Sequence, residues 1–301
     1  LIAKLISQKM DVVSLDNYST GSKANELKSV KYVKGDIGLI NQFDNQDIDY
    51  CFHLAAQSRV QPSFEDPEES FRVNVQGTLK VMEWAKKNRV KVLYAGSSSK
   101  HHDPSDSPYA MTKFLGEEIC KLYRKTYDID VEIARFYNVY GPHEPLDEKF
   151  GNVIGIWRVK AMKGLPLTIV GDGEQRRDFT HVDDIVDGII KISNSNIEHE
   201  DAWEIGSGIN YSINELFEMF KKRFNVTSVS VEDQPGNYRK TLRTNDDMLN
   251  KLNWSPSDQL NQYIKIINKN RRTNQDEAKF TAATASFDKT NKNAKVNPMM
   301  A

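Results

Sequence analysis

Short apolar runs alternate with longer stretches of helical period through the first half of the chain. DVVSLD (11–16), VKYVKGD (30–36), DYCFHLAA (49–56) and KVLYAGS (91–97) each read as a strand. The third is nearly all apolar, as expected of a strand covered on both faces. Before them, LIAKLISQ (1–8) has the period of an amphipathic helix already under way, with Leu1, Leu5 and Ile6 on one face. Asp66-Pro67-Glu68-Glu69 opens another helix with a capping acid, a proline in the first turn and an acid three residues after the cap. Phe71, Val75, Leu79 and Met82 mark its expected buried stripe. Ser107-Pro108 starts a further helix, and DVEIARFYNVYGP (130–142) is a strand running into an aromatic, Asn- and Gly-containing turn. This repeated alternation predicts an α/β fold, a Rossmann-type doubly wound parallel sheet.

After Gly141 the pattern becomes less regular. A helix near 150–163 precedes PLTIVGDGEQRRDFTHVDDIVDGI (166–189), whose helix is expected to be capped near Asp183. EIGSG (204–208), YSINELFEMF (211–220) with Ser212 as cap, and SVSVED (228–233) follow. The division expected is a sheet domain over 1–150 and a smaller α/β lobe over 151–268. The stretch 270–301, rich in Lys, Asn, Thr and Ala without an apolar period, is expected to be a disordered tail.

Composition narrows the classes. A formal net charge of −1 over 301 residues gives no electrostatic case for nucleic acid or a membrane surface, and no apolar run is long enough to span a bilayer. Cys51 and Cys120 sit in apolar segments and read as buried thiols of a reducing, cytoplasmic compartment. The six histidines show no ligand spacing, so no metal site is expected, and His101 and His102 are placed on an exposed loop.

Candidate chemistry concentrates in GSSSKHHDPSDSPYAMTK (96–113). Tyr109 and Lys113 are four apart and share a helix face. An ammonium beside a phenol favours the phenolate and lowers its pKa from about 10, so that the tyrosine can take and return a hydroxyl proton. Ser97, delivered to the carboxyl end of a strand where ligands of open α/β sheets sit, can hold the same substrate oxygen. Together these groups suit hydride transfer between a sugar alcohol and a nicotinamide. Asp16 ends the second strand of such a scheme, where an acid accepts hydrogen bonds from the adenosine ribose and disfavours a 2′-phosphate; this predicts NAD. The glycine-rich turn precedes that acid by about 20 residues, which places it before residue 1. Ala55 and Ala56 are small enough for a ligand to lie against the backbone. Asn74 is one residue off the apolar stripe and points either at the cofactor or at solvent. Arg177 and Arg239 suit a diphosphate by charge and fork geometry.

In order along the chain, SLDN (14–17), KGDI (34–37), HLAAQ (53–57), GSSS (96–99), SPYAMTK (107–113), RFYNVYGP (135–142), GDGEQRRDFTHVDDIV (171–186), EIGSG and YSINEL (204–216) and Arg239 resemble the extended short-chain dehydrogenase/reductase family, its nucleotide-sugar epimerases and dehydratases. The resemblance covers roughly 1–268. It implies a Rossmann domain for NAD and a smaller lobe for a nucleotide-diphosphate sugar, with a UDP-sugar favoured. It makes Tyr109 the acid/base, Lys113 its partner and Ser97 the catalytic serine. It assigns Asp16 and Asn17 to the adenosine ribose, Asp36 and Ile37 to the adenine, and Leu54, Ala55, Ala56, Asn74 and Tyr137 to the rest of the cofactor cleft. Ser98, Asn138, Asn152, Val153, Arg177 and Arg239 fall to the substrate. Dehydratases and decarboxylases of this family carry acids where this chain has Ser98 and Ser99, which favours a 4-epimerase. A ketoreductase or dehydratase of the same family, or a non-catalytic remnant, is the alternative. The eleven residues between Ser97 and Tyr109 form a shorter loop than the family's usual one. Helices over 67–88 and 107–126 are expected to pair two copies as a homodimer.

Overall fold

The computed structural model describes residues 1–272 and 298–300. In chain order the strands are β1 (Val13–Asp16), β2 (Lys31–Lys34), β3 (Tyr50–His53), β4 (Lys91–Ser97), β5 (Val131–Phe136), β6 (Asn138–Tyr140), β7 (Leu167–Val170), β8 (Arg176–His181), β9 (Trp203–Ile205), β10 (Asn210–Ser212), β11 (Ser228–Val231) and β12 (Pro298–Met300). The helices are α1 (Ile2–Ser7), α2 (Val60–Glu65), α3 (Pro67–Phe71), α4 (Thr78–Asn88), α5 (Pro108–Tyr127), α6 (Val153–Lys163), α7 (Val182–Ser193), α8 (Ile213–Phe224), α9 (Asp247–Leu252) and α10 (Leu260–Arg272).

Seven strands form one parallel sheet in the order β2-β1-β12-β3-β4-β5-β9. The slot between β1 and β3 is taken by β12. The expected tail from 270 otherwise lies outside the described residues beyond the end of α10. Period-two alternation divides the sheet's two faces. From β4, Val92 and Tyr94 enter a core with Met82, Trp84 and Cys120, while Leu93 enters the opposite core with Ile185, Trp203 and Trp254. Both cysteines are fully buried. A third core, around Trp157, Leu167, Leu216, Phe220 and Ile264, belongs to the smaller lobe. There β10-β8-β6 make a three-stranded sheet and β11-β7 a two-stranded one. Because α7 and β9 return to the large sheet, the chain beyond residue 150 contributes to both lobes.

Three helix starts carry the caps that the sequence predicts. The Asp66 carboxylate accepts from Glu69 N at 2.9 Å, the Ser107 hydroxyl from Ala110 N at 3.0 Å, and Ser212 and Glu215 form a reciprocal capping box. The helix expected to be capped near Asp183 instead has His181 as its cap. The stripe predicted on the helix after Asp66 is also displaced. Of it, Met82 is buried as expected and Val75 partly so, but Phe71 and Leu79 are exposed, and Val73, Asn74, Thr78 and Val81 are buried instead. A π-helical turn over Arg72–Gly77 separates α3 from α4; its wider turn shifts the phase of everything after it.

Candidate active site

Ser97 ends β4 at the carboxyl edge of the sheet and caps the tight turn Ser98–His101. Its hydroxyl oxygen accepts from Ser99 N at 3.2 Å and lies 2.9 Å from Ser99 Oγ. Tyr109, in the first turn of α5, donates its Oη to Ser97 Oγ at 3.1 Å. Its backbone N–H is anchored on Ser63 Oγ at 3.0 Å. Lys113 lies one turn on, buried, donating its Nζ to Ala95 O at 2.6 Å and lying 4.8 Å from the Tyr94 ring. The three expected catalytic groups thus converge on one corner. The close approach of α5 to β4 requires a glycine: a Cβ on Gly116 would stand 2.1 Å from Tyr94 Oη.

The electrostatics of this corner differ from the sequence expectation. Burial raises the Tyr109 pKa; the Ser97 hydrogen bond and the charge of Arg59 only partly offset it. Burial likewise lowers the Lys113 pKa to about 8. The ammonium spends its short hydrogen bond on a carbonyl, and desolvation outweighs attraction for both groups. The cation that acts on the phenol is Arg59, whose Nε donates to Phe150 O at 2.7 Å.

Below Ser97 lies an ion cluster in which Arg135, Glu117 and Glu204 are buried and Asp201 reaches the surface. Arg135 Nη2 donates to Glu117 Oε2 at 2.8 Å, and Nη1 donates to Asp201 Oδ2 at 2.8 Å and Glu204 Oε1 at 3.0 Å. Tyr137 Oη donates to Glu204 Oε2, and His101 Nε2 sits 2.9 Å from Glu204 Oε1. His101 is therefore anchored rather than free on its loop, and His102 stacks on Tyr238 with ring centroids 3.8 Å apart.

Asp16, Asn17, Asp36, Ile37, Leu54, Ala55 and Ala56 all line one cavity of about 270 Å³, together with Gly21 and Gly35. The Asp16 carboxylate accepts from Tyr18 N at 2.7 Å. Arg72 grips Asp36 with two nitrogens at 3.0 and 3.1 Å and holds its carboxyl below the usual range. Asn74 stands behind this wall, bonded to Gln57 N at 2.7 Å and to Thr112 Oγ1 at 2.9 Å. Tyr137 lines a second cavity, of about 320 Å³, with Ser98.

The residues expected to meet a substrate are more scattered. Asn138 Nδ2 donates to Thr241 Oγ1 at 3.0 Å. Asn152 caps α6, accepting from Gly155 N at 2.7 Å, and Val153 is the first residue of that helix. Arg177 Nη1 donates to Tyr238 O at 2.6 Å, and burial lowers its pKa to about 10. Arg239 turns outward to Asp172 at 2.7 Å, with both side chains exposed. Sequence spacing gave no sign of Arg59, Ser63, Glu117 or Glu204; their contacts with the site depend on segments up to a hundred residues apart. Among the described residues no cluster of His, Cys, Asp and Glu could hold a metal, and no helix is long and apolar enough to cross a membrane.

Residues 1–206 match the sequence family described as the NAD dependent epimerase/dehydratase family. A Methanocaldococcus jannaschii protein provisionally named UDP-glucose 4-epimerase is 32% identical over 287 residues, covering 89% of this chain and 92% of that protein. UDP-glucuronic acid decarboxylase 1 of Arabidopsis thaliana is 26% identical, covering 93% and 69% respectively. Among solved structures, the epimerase Mth375 of Methanothermobacter thermautotrophicus superposes with a TM-score of 0.81 at 25% identity, over 91% of this chain and 94% of that one.

Proposed function

Because the chain belongs to the NAD-dependent epimerase/dehydratase family, we propose that it is an NAD-dependent enzyme that epimerises the sugar of a nucleotide diphosphate, a UDP-sugar, at C4. The observation that carries this reading is the 3.1 Å contact of Tyr109 Oη with Ser97 Oγ at the carboxyl edge of the sheet. The residues present fit the cofactor. The 270 Å³ cavity presents the Asp16 carboxylate for ribose hydroxyls and keeps small residues, Gly21, Ala55 and Ala56, along its wall. NAD, when bound, supplies the hydride acceptor and donor.

Burial favours the protonated Tyr109 phenol, and the positive nicotinamide ring of bound NAD would add to Arg59 in favouring the phenolate, so that Tyr109 can take the C4 hydroxyl proton as that carbon is oxidised and return it after the keto sugar has turned its other face. Ser97 holds the C4 oxygen within reach of the phenol. Lys113, fixed on Ala95 O, would hold the nicotinamide ribose when the cofactor is bound. Asn138, Arg177 and Arg239 hold the nucleotide diphosphate, Arg239 by exchanging Asp172 for phosphate. Dehydration or decarboxylation needs a further acid or base at the sugar. Ser98 and Ser99 cannot serve, and the nearby acids Glu117 and Glu204 are already tied to Arg135. Two copies pair through α4 and α5, whose exposed Leu79 and Leu122 give an apolar face for packing. The enzyme is cytoplasmic.

The test offers UDP-, GDP-, dTDP- and CDP-sugars with NAD and separates the products by chromatography with mass detection. A C4 epimer of unchanged mass, formed without net consumption of cofactor, is expected. Net turnover of the nicotinamide would indicate a reductase, and loss of water or carbon dioxide one of the other family chemistries.

A further inference from the structure

Three successive side chains pin the short turn after Ser97 to three different parts of the molecule. Lys100 Nζ donates to Glu118 Oε1 on α5 at 2.8 Å and lies 3.8 Å from the Phe114 ring. His101 Nε2 sits 2.9 Å from Glu204 Oε1 on β9. His102 stacks on Tyr238. These anchors are not equally firm. The Glu118 side chain is 44% exposed, and an ion pair in solvent holds little. Tyr238 stands on a segment outside any helix or strand. Glu204 is 1% exposed and is already fixed by Arg135 Nη1 at 3.0 Å and by Tyr137 Oη. A carboxylate only accepts, so the His101 Nε2 carries the hydrogen, and a bond to a buried charge is the strong kind.

What this turn holds is the catalytic serine. Ser97 Oγ accepts from Ser99 N at 3.2 Å and lies 2.9 Å from Ser99 Oγ. The His102 N–H closes the turn on Ser99 O at 3.0 Å. The direction of Ser97 Oγ, the oxygen that Tyr109 Oη meets, therefore depends on where the turn sets Ser99. Arg135 also holds α5, the helix of Tyr109, through Glu117 at 2.8 Å. One guanidinium thus sets the serine, through Glu204 and His101, against the tyrosine.

We propose that His101 is a positioning residue for the reaction: its hydrogen bond to Glu204 fixes the turn that aims Ser97 Oγ at the C4 oxygen of the sugar. This rests on the epimerase reading above. His101 acts through Ser97, and the bond matters in proportion to how closely the serine must be placed. Removing the imidazole leaves Glu204 bonded to Arg135 and Tyr137, so the change strands no buried charge and the chain still folds.

The test is steady-state epimerisation by the full chain at saturating NAD, with the best substrate of the UDP-, GDP-, dTDP- and CDP-sugar panel. It compares wild type, His101→Ala, His101→Gln, Ser97→Ala and the double variant Ser97→Ala/His101→Ala. His101→Ala is expected to lower kcat about tenfold with KM within about twofold, as fits the loss of one charge-assisted hydrogen bond that serves the reacting geometry. His101→Gln, whose amide N–H offers Glu204 the same donor, should recover most of the rate. In the Ser97→Ala background, removing His101 should cost nothing more. An unchanged kcat in His101→Ala overturns the proposal. So does a raised KM at constant kcat, which makes His101 a substrate contact. A further loss on top of Ser97→Ala means that His101 acts elsewhere and overturns it too, as does a His101→Gln no faster than His101→Ala. A His101→Ala chain that does not melt cooperatively assigns the bond to folding and also overturns it. All of these leave the epimerase reading standing, whereas a wild type that turns over none of the four sugars overturns both.

Discussion

Beneath Ser97, Arg135 is enclosed by Glu117, Asp201 and Glu204, and Tyr137 and His101 complete the set. Across the cleft, Arg239 meets Asp172 in solvent and Arg243 keeps one nitrogen unpaired. In the first region charges are locked into the protein and support the reacting groups. In the second they pair in solvent or incompletely, which suits the proposed reading of groups that exchange a protein partner for a ligand. Fixed polarity suits chemistry, which needs the geometry before the substrate comes. Exchangeable polarity suits binding.

The strongest way to break this contrast is at Tyr109. Replacing it with Phe should lower turnover by about a thousandfold, as loss of a general acid/base does, with an unchanged thermal melt. Retained activity would remove the catalytic corner from the account. Arg135→Met should come next. It strands buried carboxylates, and chemical denaturation should show a loss of about 3 kcal/mol, the range for breaking one partner of a buried pair. A neutral result would mean that the cluster is not locked at all. Asp16→Ala should weaken NAD binding about tenfold, in line with losing a charge-assisted hydrogen bond, while the rate at saturating cofactor stays the same. Arg239→Ala should leave the melting temperature unmoved, since exposed pairs contribute little, yet weaken nucleotide binding several-fold; a stability loss there would erase the difference between the regions.

A last effect is a pH dependence. The Lys113 pKa is lowered to about 8 in the folded chain from 10.5. Between those values the unfolded chain holds a proton that the native chain has released. Native stability from this group therefore rises as pH climbs through that window and is lost as pH falls through about 8. Denaturation series of wild type and Lys113→Met should differ in slope across it.

Much of this was readable from local signals. Asp66, Ser107 and Ser212 announce helix starts because a cap is a contact over three residues. The strand Lys91–Ser97 and the pair Tyr109 and Lys113 follow from periods of two and four. What depends on distant segments was hidden. The π-turn at Arg72–Gly77 took Phe71 and Leu79 out of the buried stripe and brought Val73 and Val81 into it, while Met82 stayed buried as expected. The phenol's pKa direction turned on burial, which outweighs the opposing Ser97 hydrogen bond and the charge of Arg59, fifty residues earlier in the chain than Tyr109. His101 was fixed by Glu204, more than a hundred residues on. Nothing in the spacing of residues near Arg243 tells that one of its nitrogens is enclosed without an acceptor.

Gly116 touches no reacting atom, yet it sets how low α5 rides over β4 against Tyr94. A methyl there would act as a shim, tilting the whole cylinder and lifting its front end, with both the proton carrier and the amine, off the strand. Alignment at the reacting carbon is thus gauged from seven residues downstream, by a hydrogen where any other residue would put carbon.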